Sequence, residues 1–483
     1  MPLIAETPAA LGSPVPLLEL GRALREQRIA CCQWKGHDAP ERWATGRGDI
    51  DLLVDRTAAA RFHALALRSG FKETVPPPAQ RIPGLAEYVG LDPATGVLLR
   101  LHVRYRLVVG LHGTARYRLP LEQAVLDEAM PALPFPVPPP EWALILFVLR
   151  KALQEPQPRA LPAAWSGTAD ALESIVTFGR LKAALERHLP AVPYACFDAC
   201  LSALTDRDAE RWRREAALLR KRLAPLRERA PVAAIAAVAA ARLSRLVSRY
   251  AAFAGLSGAR PHGRKRLASG GVIVALVGDD GAGQSKAALA LETWLAPALR
   301  VLRIHAGRPP RSFATLVVSA ALELARRSLG RHAERSALID RLEMVRCLCT
   351  ALDRLRLCEK ASRFAVGGGI VIAEQYPLRH DASPGGPTIA APAAGRPQVP
   401  LVPPLIPTEE DLHARIPPPD AVVLLRVTPE VAAARGTDEP ADHQPERNRL
   451  VLNADWNGAR SVDADQPFAE MLHELREVVW QAL

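Results

Sequence analysis

The run from Val272 to Leu295 constrains this chain more than any other. Val272-Ile-Val-Ala-Leu-Val277 is an unbroken apolar stretch of the kind a strand buried on both faces requires. Gly278-Asp-Asp-Gly-Ala-Gly-Gln-Ser285 follows directly, and Lys286 to Leu295 reads as a helix. Strand, glycine-rich turn and helix in that order let backbone N–H groups converge on an anion, with the positive end of the helix dipole behind them. The phosphate-binding frame G-x-x-x-x-G-K-[ST] is met at Gly278, Gly283 and Ser285, with Gly281 inside the turn. Its lysine position holds Gln284. A lysine ammonium there neutralises β- and γ-phosphate charge during phosphoryl transfer, whereas an amide donates hydrogen bonds and adds no charge. Lys286, the next cation and a further candidate contact, stands about 200° around the helix and needs rearrangement to replace it.

At 483 residues the length predicts about three domains, and 49% apolar residues suffice for large cores. The expected class is α/β. Residues 1–140 mix strand-like and helix-like patterns and close on a proline-rich stretch, and residues 141–206 read as a helical domain. Residues 207–268 read as a basic helical linker, and residues 269–483 alternate β-branched runs with helices, as a parallel sheet does. The net charge of +11 belongs to one segment: Arg211 to Arg266 carries about 15 basic residues against Glu215 and Glu228. Within it, Val232 to Ala241 with Arg242, Arg245 and Arg249 reads as an amphipathic helix. Its apolar face would pack on a neighbouring domain or partner protein, lie on an anionic surface, or contact nucleic acid. The seven Cys residues form no metal-type pair and read as buried thiols. Without a signal-peptide pattern or an apolar run long enough to span a bilayer, a cytoplasmic location and no transmembrane segment are expected.

Four segments together resemble thymidylate kinases: the glycine-rich loop, Leu352-Asp-Arg354, Gly369-Ile-Val-Ile-Ala-Glu-Gln-Tyr-Pro377, and Pro418-Pro-Asp-Ala-Val-Val-Leu-Leu-Arg-Val-Thr-Pro-Glu430. The ending Ser461-Val-Asp-Ala-Asp-Gln-Pro467 and the terminal helix fit the same pattern. The resemblance implies ATP and Mg²⁺ as cofactors and phosphoryl transfer to a nucleoside monophosphate or another, unidentified acceptor. It implies that Asp280 orients the acceptor, Arg354 holds its phosphate, and Ser285 and Glu374 organise Mg²⁺. Arg435 falls where a lid arginine would cover ATP. Glu374-Gln-Tyr376 stands where the family has an Asp-Arg-aromatic triplet, so Gln375 replaces an arginine expected at phosphate. With Gln284, that makes two glutamines at two cationic positions, which implies weakened catalysis or a non-catalytic, nucleotide-dependent regulator or scaffold.

Near the N-terminus, Gly46-Arg-Gly-Asp49-Ile-Asp51-Leu-Leu-Val-Asp55 sets Asp49 and Asp51 two apart on one strand face, the spacing two carboxylates need to share divalent cations. With the later strand Val97 to Tyr105, the segment resembles the nucleotidyltransferase superfamily. That resemblance implies a third carboxylate on the later strand, where this chain has Arg100, with His102 and Arg104 on the same alternating face. Such a cationic face would pair with Asp49 and Asp51 or attract phosphate, and His102 stands open between metal ligand, base and structural hydrogen bonder.

Overall fold

The computed structural model describes residues 13–37, 39–110, 117–154, 157–228, 265–278, 282–329, 337–378, 402–428, 430–431 and 458–483. The fold is α/β, and the chain divides into two compact units, Met1–Lys265 and Arg266–Leu483.

In the first unit β1 (Cys31–Lys35), β2 (Ile50–Val54), β3 (Lys72–Val75), β4 (Leu85–Asp92) and β5 (Val97–Arg104) form a mixed sheet in the order β1-β2-β5-β4-β3. Only β2 and β5 run parallel. Alternation in β5 explains its two faces. Leu99, Leu101 and Val103 are buried against α1 (Val15–Glu26) and α3 (Ala59–Arg68), through Leu17, Leu20, Phe62 and Leu65. Arg100, His102 and Arg104 therefore project from the opposite face. The short α2 (Pro40–Ala44) precedes β2, and Gly46, with φ 70°, turns the chain into that strand.

A short ribbon of β6 (Leu107–Val109) and β7 (Tyr117–Leu119), then α4 (Glu122–Asp127), leads to five helices: α5 (Pro140–Ala152), α6 (Ala163–Glu173), α7 (Phe178–His188), α8 (Tyr194–Thr205) and α9 (Ala209–Arg222). α5 begins on Pro140, whose missing N–H costs nothing at a first helical position, and is apolar all round because its neighbours enclose it. Its residues share one core with Cys32, Trp34 and Leu53 of the sheet. The expected boundary at residue 140 therefore does not separate two cores. Nor does the packed structure end at 206: α9 buries Trp212, Ala216 and Leu219, and Arg220 donates to the Ala152 carbonyl at 2.7 Å. The start of the expected linker is thus an ordinary amphipathic helix with Arg213, Arg214, Lys221 and Arg222 exposed. The segment 232–249 lies outside the described residues.

The second unit has a five-stranded parallel sheet of β8 (Ile273–Gly278), β9 (Val301–His305), β10 (Ile370–Glu374), β11 (Ala421–Arg426) and β12 (Arg460–Asp463), in the order β9-β10-β8-β11-β12. The first strand of the unit is thus its centre, with the next two on one side and the last two on the other. Ligands in open sheets bind at such a switch point, outside the carboxyl ends of the strands. Among the described residues five helices accompany it: α10 (Gln284–Leu295), α11 (Phe313–Leu329), α12 (Ala337–Val366), α13 (Val402–Ala414) and α14 (Phe468–Ala482). Leu355, Cys358, Ala361 and Ala365 of α12 pack on β8 and β10. Among the described residues no helix is long and apolar enough to cross a membrane.

Leu149→Ala, at a fully buried position of α5, is expected to destabilise the N-terminal unit by about 2–5 kcal/mol. Phe313→Ala, at a position 82% exposed, should change stability by less than about 0.5 kcal/mol. Urea denaturation of the two variants measures the contrast.

Candidate functional site

The switch point of the second unit brings the start of α10 against the end of β10. Gly278 closes β8 where a Cβ would come within 2.8 Å of the Leu425 carbonyl oxygen, so no larger residue fits. Gly283, in the left-handed region at φ 76°, turns the chain into α10. Gln284 folds back: its Nε2 donates to the Gly278 carbonyl oxygen at 2.6 Å, which ties the loop's two flanks together. Ser285 Oγ donates to Glu374 Oε2 at 2.5 Å. Glu374 is the last residue of β10, 3% exposed, in register with Leu276 of β8 and His305 of β9.

The second oxygen of Glu374 meets Arg303, whose Nη1 lies 3.3 Å away while its Nε lies 3.2 Å from Glu292 of α10. His305 stands beside this group. Burial holds its imidazole below the ordinary histidine range, and the nearby Glu374 carboxylate only partly opposes that. Ser285 is exposed and bonded to a buried carboxylate, a donor pair that suits a hydrated Mg²⁺ arriving with a phosphate. Lys286 points elsewhere: its ammonium sits 4.0 Å from the centre of the Phe468 ring on α14.

The other expected residues are dispersed. Arg354 is buried on α12, where its Nε donates to the Ala306 carbonyl at 2.9 Å and its Nη1 lies 3.3 Å from His413 Nε2. Its neighbour Asp353 accepts from Ser312 N and Thr315 Oγ1 at 2.9 and 2.6 Å, at the start of α11. Both side chains lock α12 to the segments that follow β9. Gln375 adopts φ 49°, packed so closely that a Cβ on Gly307 would meet its Oε1 at 2.1 Å. Tyr376 is buried, and its hydroxyl donates to the Pro417 carbonyl at 2.7 Å. Asp280, Gly281 and Arg435 lie outside the described residues.

In the first unit the charged face of the sheet is one continuous row. Lys35, Asp51, His102 and Glu87 are register partners across β1, β2, β5 and β4. Lys35 Nζ is 2.9 Å from Asp51, and His102 Nδ1 lies 3.6 Å from Asp49 and 3.9 Å from Asp51. His102 Nε2 lies 3.6 Å from Glu87 and 3.3 Å from Lys265 Nζ, which is itself 3.3 Å from Glu87. Arg100 Nε is 3.0 Å from Asp49, and its guanidinium also donates to the Gly46 carbonyl. Burial lowers the proton affinity of His102 more than its three carboxylates raise it.

A further carboxylate does lie on this face, Glu87, but on the neighbouring strand β4 rather than at the position held by Arg100. It went unnoticed because the pairing of β4 with β5 is not visible in either segment alone. Every acid of the row already faces a lysine or arginine, and no three His, Cys, Asp or Glu side chains among the described residues are arranged to hold a metal. Such a compensated row does not fit a pair of divalent cations at Asp49 and Asp51. Lys35 and Arg303 were missed as well. A charge inside an otherwise apolar run, Val301-Leu-Arg-Ile304, was the available signal for Arg303.

No protein-family model matches the chain, and neither does any curated protein. Among solved structures it is similar to a thymidylate kinase from Candida albicans, at 18% identity over 44% of this chain and 92% of that one, with a TM-score of 0.28. A likeness this slight carries no conclusion about chemistry.

The packing of Arg354 has a measurable consequence. Burial first, and the adjacent Arg354 guanidinium second, hold His413 below its usual 6.5. The unfolded chain therefore binds the extra proton more readily, so stability from this site is full above pH 6.5 and falls as the solution is acidified. His413→Gln is expected to flatten the decline in melting temperature of the C-terminal unit between about pH 7 and 5.

Proposed function

We propose that the C-terminal unit binds the phosphates of ATP or a related nucleotide, with Mg²⁺, at the loop between β8 and α10. The observation that carries this reading is the hydrogen bond from Ser285, the first-turn hydroxyl of α10, to Glu374 at the end of the adjacent parallel strand. In a phosphate-loop nucleoside triphosphatase, that hydroxyl and a strand-end carboxylate organise the metal. Bound Mg²⁺ would neutralise phosphate charge. The free N–H groups at the start of α10 would receive phosphate oxygens, and Ser285 Oγ would turn from Glu374 to the metal. Glu374, paired with Arg303, would hold the incoming metal hydrate. The acceptor, if phosphoryl transfer occurs, would be a nucleoside monophosphate or another hydroxyl or phosphate group, with Asp280 as its orienting acid. A cytoplasmic setting, and a partner protein or anionic surface for the basic segment after α9, belong to the same proposal.

One contact favours a non-catalytic version, a nucleotide-dependent regulator or scaffold. Gln284 spends its amide N–H on the Gly278 carbonyl and presents no charge to phosphate. Binding then rests on backbone and metal, and transfer on a site lacking its principal cation.

Phosphoryl transfer from labelled ATP, followed in full-length protein and in Gln284→Lys, separates the two versions. A rise of about 10²-fold or more in the variant, the size expected for restoring one charged transition-state contact, means the remaining site is competent. An unchanged background alongside intact Mg·ATP binding supports the regulator. Loss of Mg·ATP affinity in Ser285→Ala is expected under both, and unaltered affinity contradicts both.

A further inference from the structure

The charged row of the first unit does not stop at Lys35. Beyond it, Trp34 is ringed by cations: Lys35 Nζ lies 5.4 Å from the ring centre, and the guanidinium carbons of Arg104 and Arg150 lie at 5.5 and 5.7 Å. Lys151, next along the last turn of α5, lies 4.2 Å from the centre of Trp165. β1, the end of β5 and the end of α5 thus contribute four positive charges to one place. Of Lys35, Arg104 and Lys151, only Lys35 has a carboxylate within ion-pair distance among the described residues, and that is Asp51.

Cation–π contacts and the carbonyl end of α5 favour such a gathering only weakly, and like charges oppose it. The crowding is visible in Lys151: burial first, then Arg150 and Lys35, bring its ammonium down to about 8. Two donors of the cluster are also unmet. Trp34 Nε1 and Arg104 Nε are buried and have no hydrogen-bond partner among the described residues, although Arg104 Nη1 reaches the Val108 carbonyl at 3.0 Å. Both atoms can only donate, so what completes them is an acceptor. An oxyanion supplies acceptors and negative charge together, and planar guanidinium groups suit its geometry.

We propose that Trp34, Lys35, Arg104 and Arg150 form an anion seat for a phosphoryl group of an oligophosphate, separate from the loop between β8 and α10. Arg104 and Lys151 alone are more than a single carboxylate of a ligand would meet, whereas a di- or triphosphate carries enough charge for both. The seat adjoins Asp51 through Lys35, so the remainder of the ligand would extend along the Asp51–His102 row. Inorganic pyrophosphate and the phosphate tail of a nucleotide share this chemistry.

The test is calorimetric titration of pyrophosphate, and separately of ATP, into the full chain carrying Ser285→Ala, which silences the phosphate loop of the other unit. Pyrophosphate binding is expected to persist in that background and to weaken tenfold or more when Arg150→Ala is added. Arg150→Lys, which keeps the charge, should recover part of it. Lys151→Gln, a second variant that leaves the Trp34 contacts in place, should weaken binding by a smaller factor. Affinity should also fall as salt is raised. If ATP alone binds, with the same dependence on Arg150, the occupant is a nucleotide tail rather than free pyrophosphate. Affinity equal with and without Arg150, or absence of all binding once Ser285 is replaced, overturns the proposal. Circular dichroism of each variant establishes that it is folded.

Discussion

A carboxylate buried at the end of a parallel sheet has to be met by donors or it forces its surroundings apart, and much of the C-terminal unit is arranged around meeting Glu374. Ser285 and Arg303 take one oxygen each, from α10 and from the next strand, and Arg303 also grips Glu292. This fixes the first turn of α10 against β10, beside the strand that ends in Gly278. The loop is therefore anchored on both flanks: by Ser285 to a neighbouring strand, and by Gln284 to its own.

The same physics governs the first unit on a larger scale. Lys35, Asp51, His102 and Glu87 stand side by side on one sheet face, and a lysine or arginine beside each acid is what makes the arrangement tolerable. Lys35 joins the acidic stretch to the basic one around Trp34. The sheet's other face is an ordinary apolar core under α1 and α3, so the ionic face is not needed to hold the strands together. The anion seat proposed above rests on this concentration of charge.

What could be read from residues alone followed their distance in sequence. The strand–turn–helix of the phosphate loop is contiguous, and the structure has strand, turn and helix at Ile273–Gly278, Gly283 and Gln284–Leu295. The parallel sheet followed from β-branched runs separated by helices. By contrast, the Glu87–His102–Asp51 row depends on register among three strands, and only pairing reveals it. Arg354 shows the converse. Its place in a motif invited a role at phosphate, yet a guanidinium on a long helix is also a good buried strut, and here it reaches a backbone carbonyl. The helical segment after residue 140 looked separate because a proline-rich stretch precedes it, but a wholly apolar helix such as α5 has to be enclosed by something, and part of its enclosure is the sheet.

The central claim is that phosphate binds where β8 meets α10. Hydrogen–deuterium exchange of the full chain, with and without Mg·ATP at millimolar concentration, tests it most directly by following the peptide that covers Ile273 to Leu295. Slower exchange of the amides at the start of α10, beyond any change elsewhere in the unit, is the expected result. Exchange in that peptide that is identical with and without nucleotide would contradict the claim and leave the loop as a structural turn.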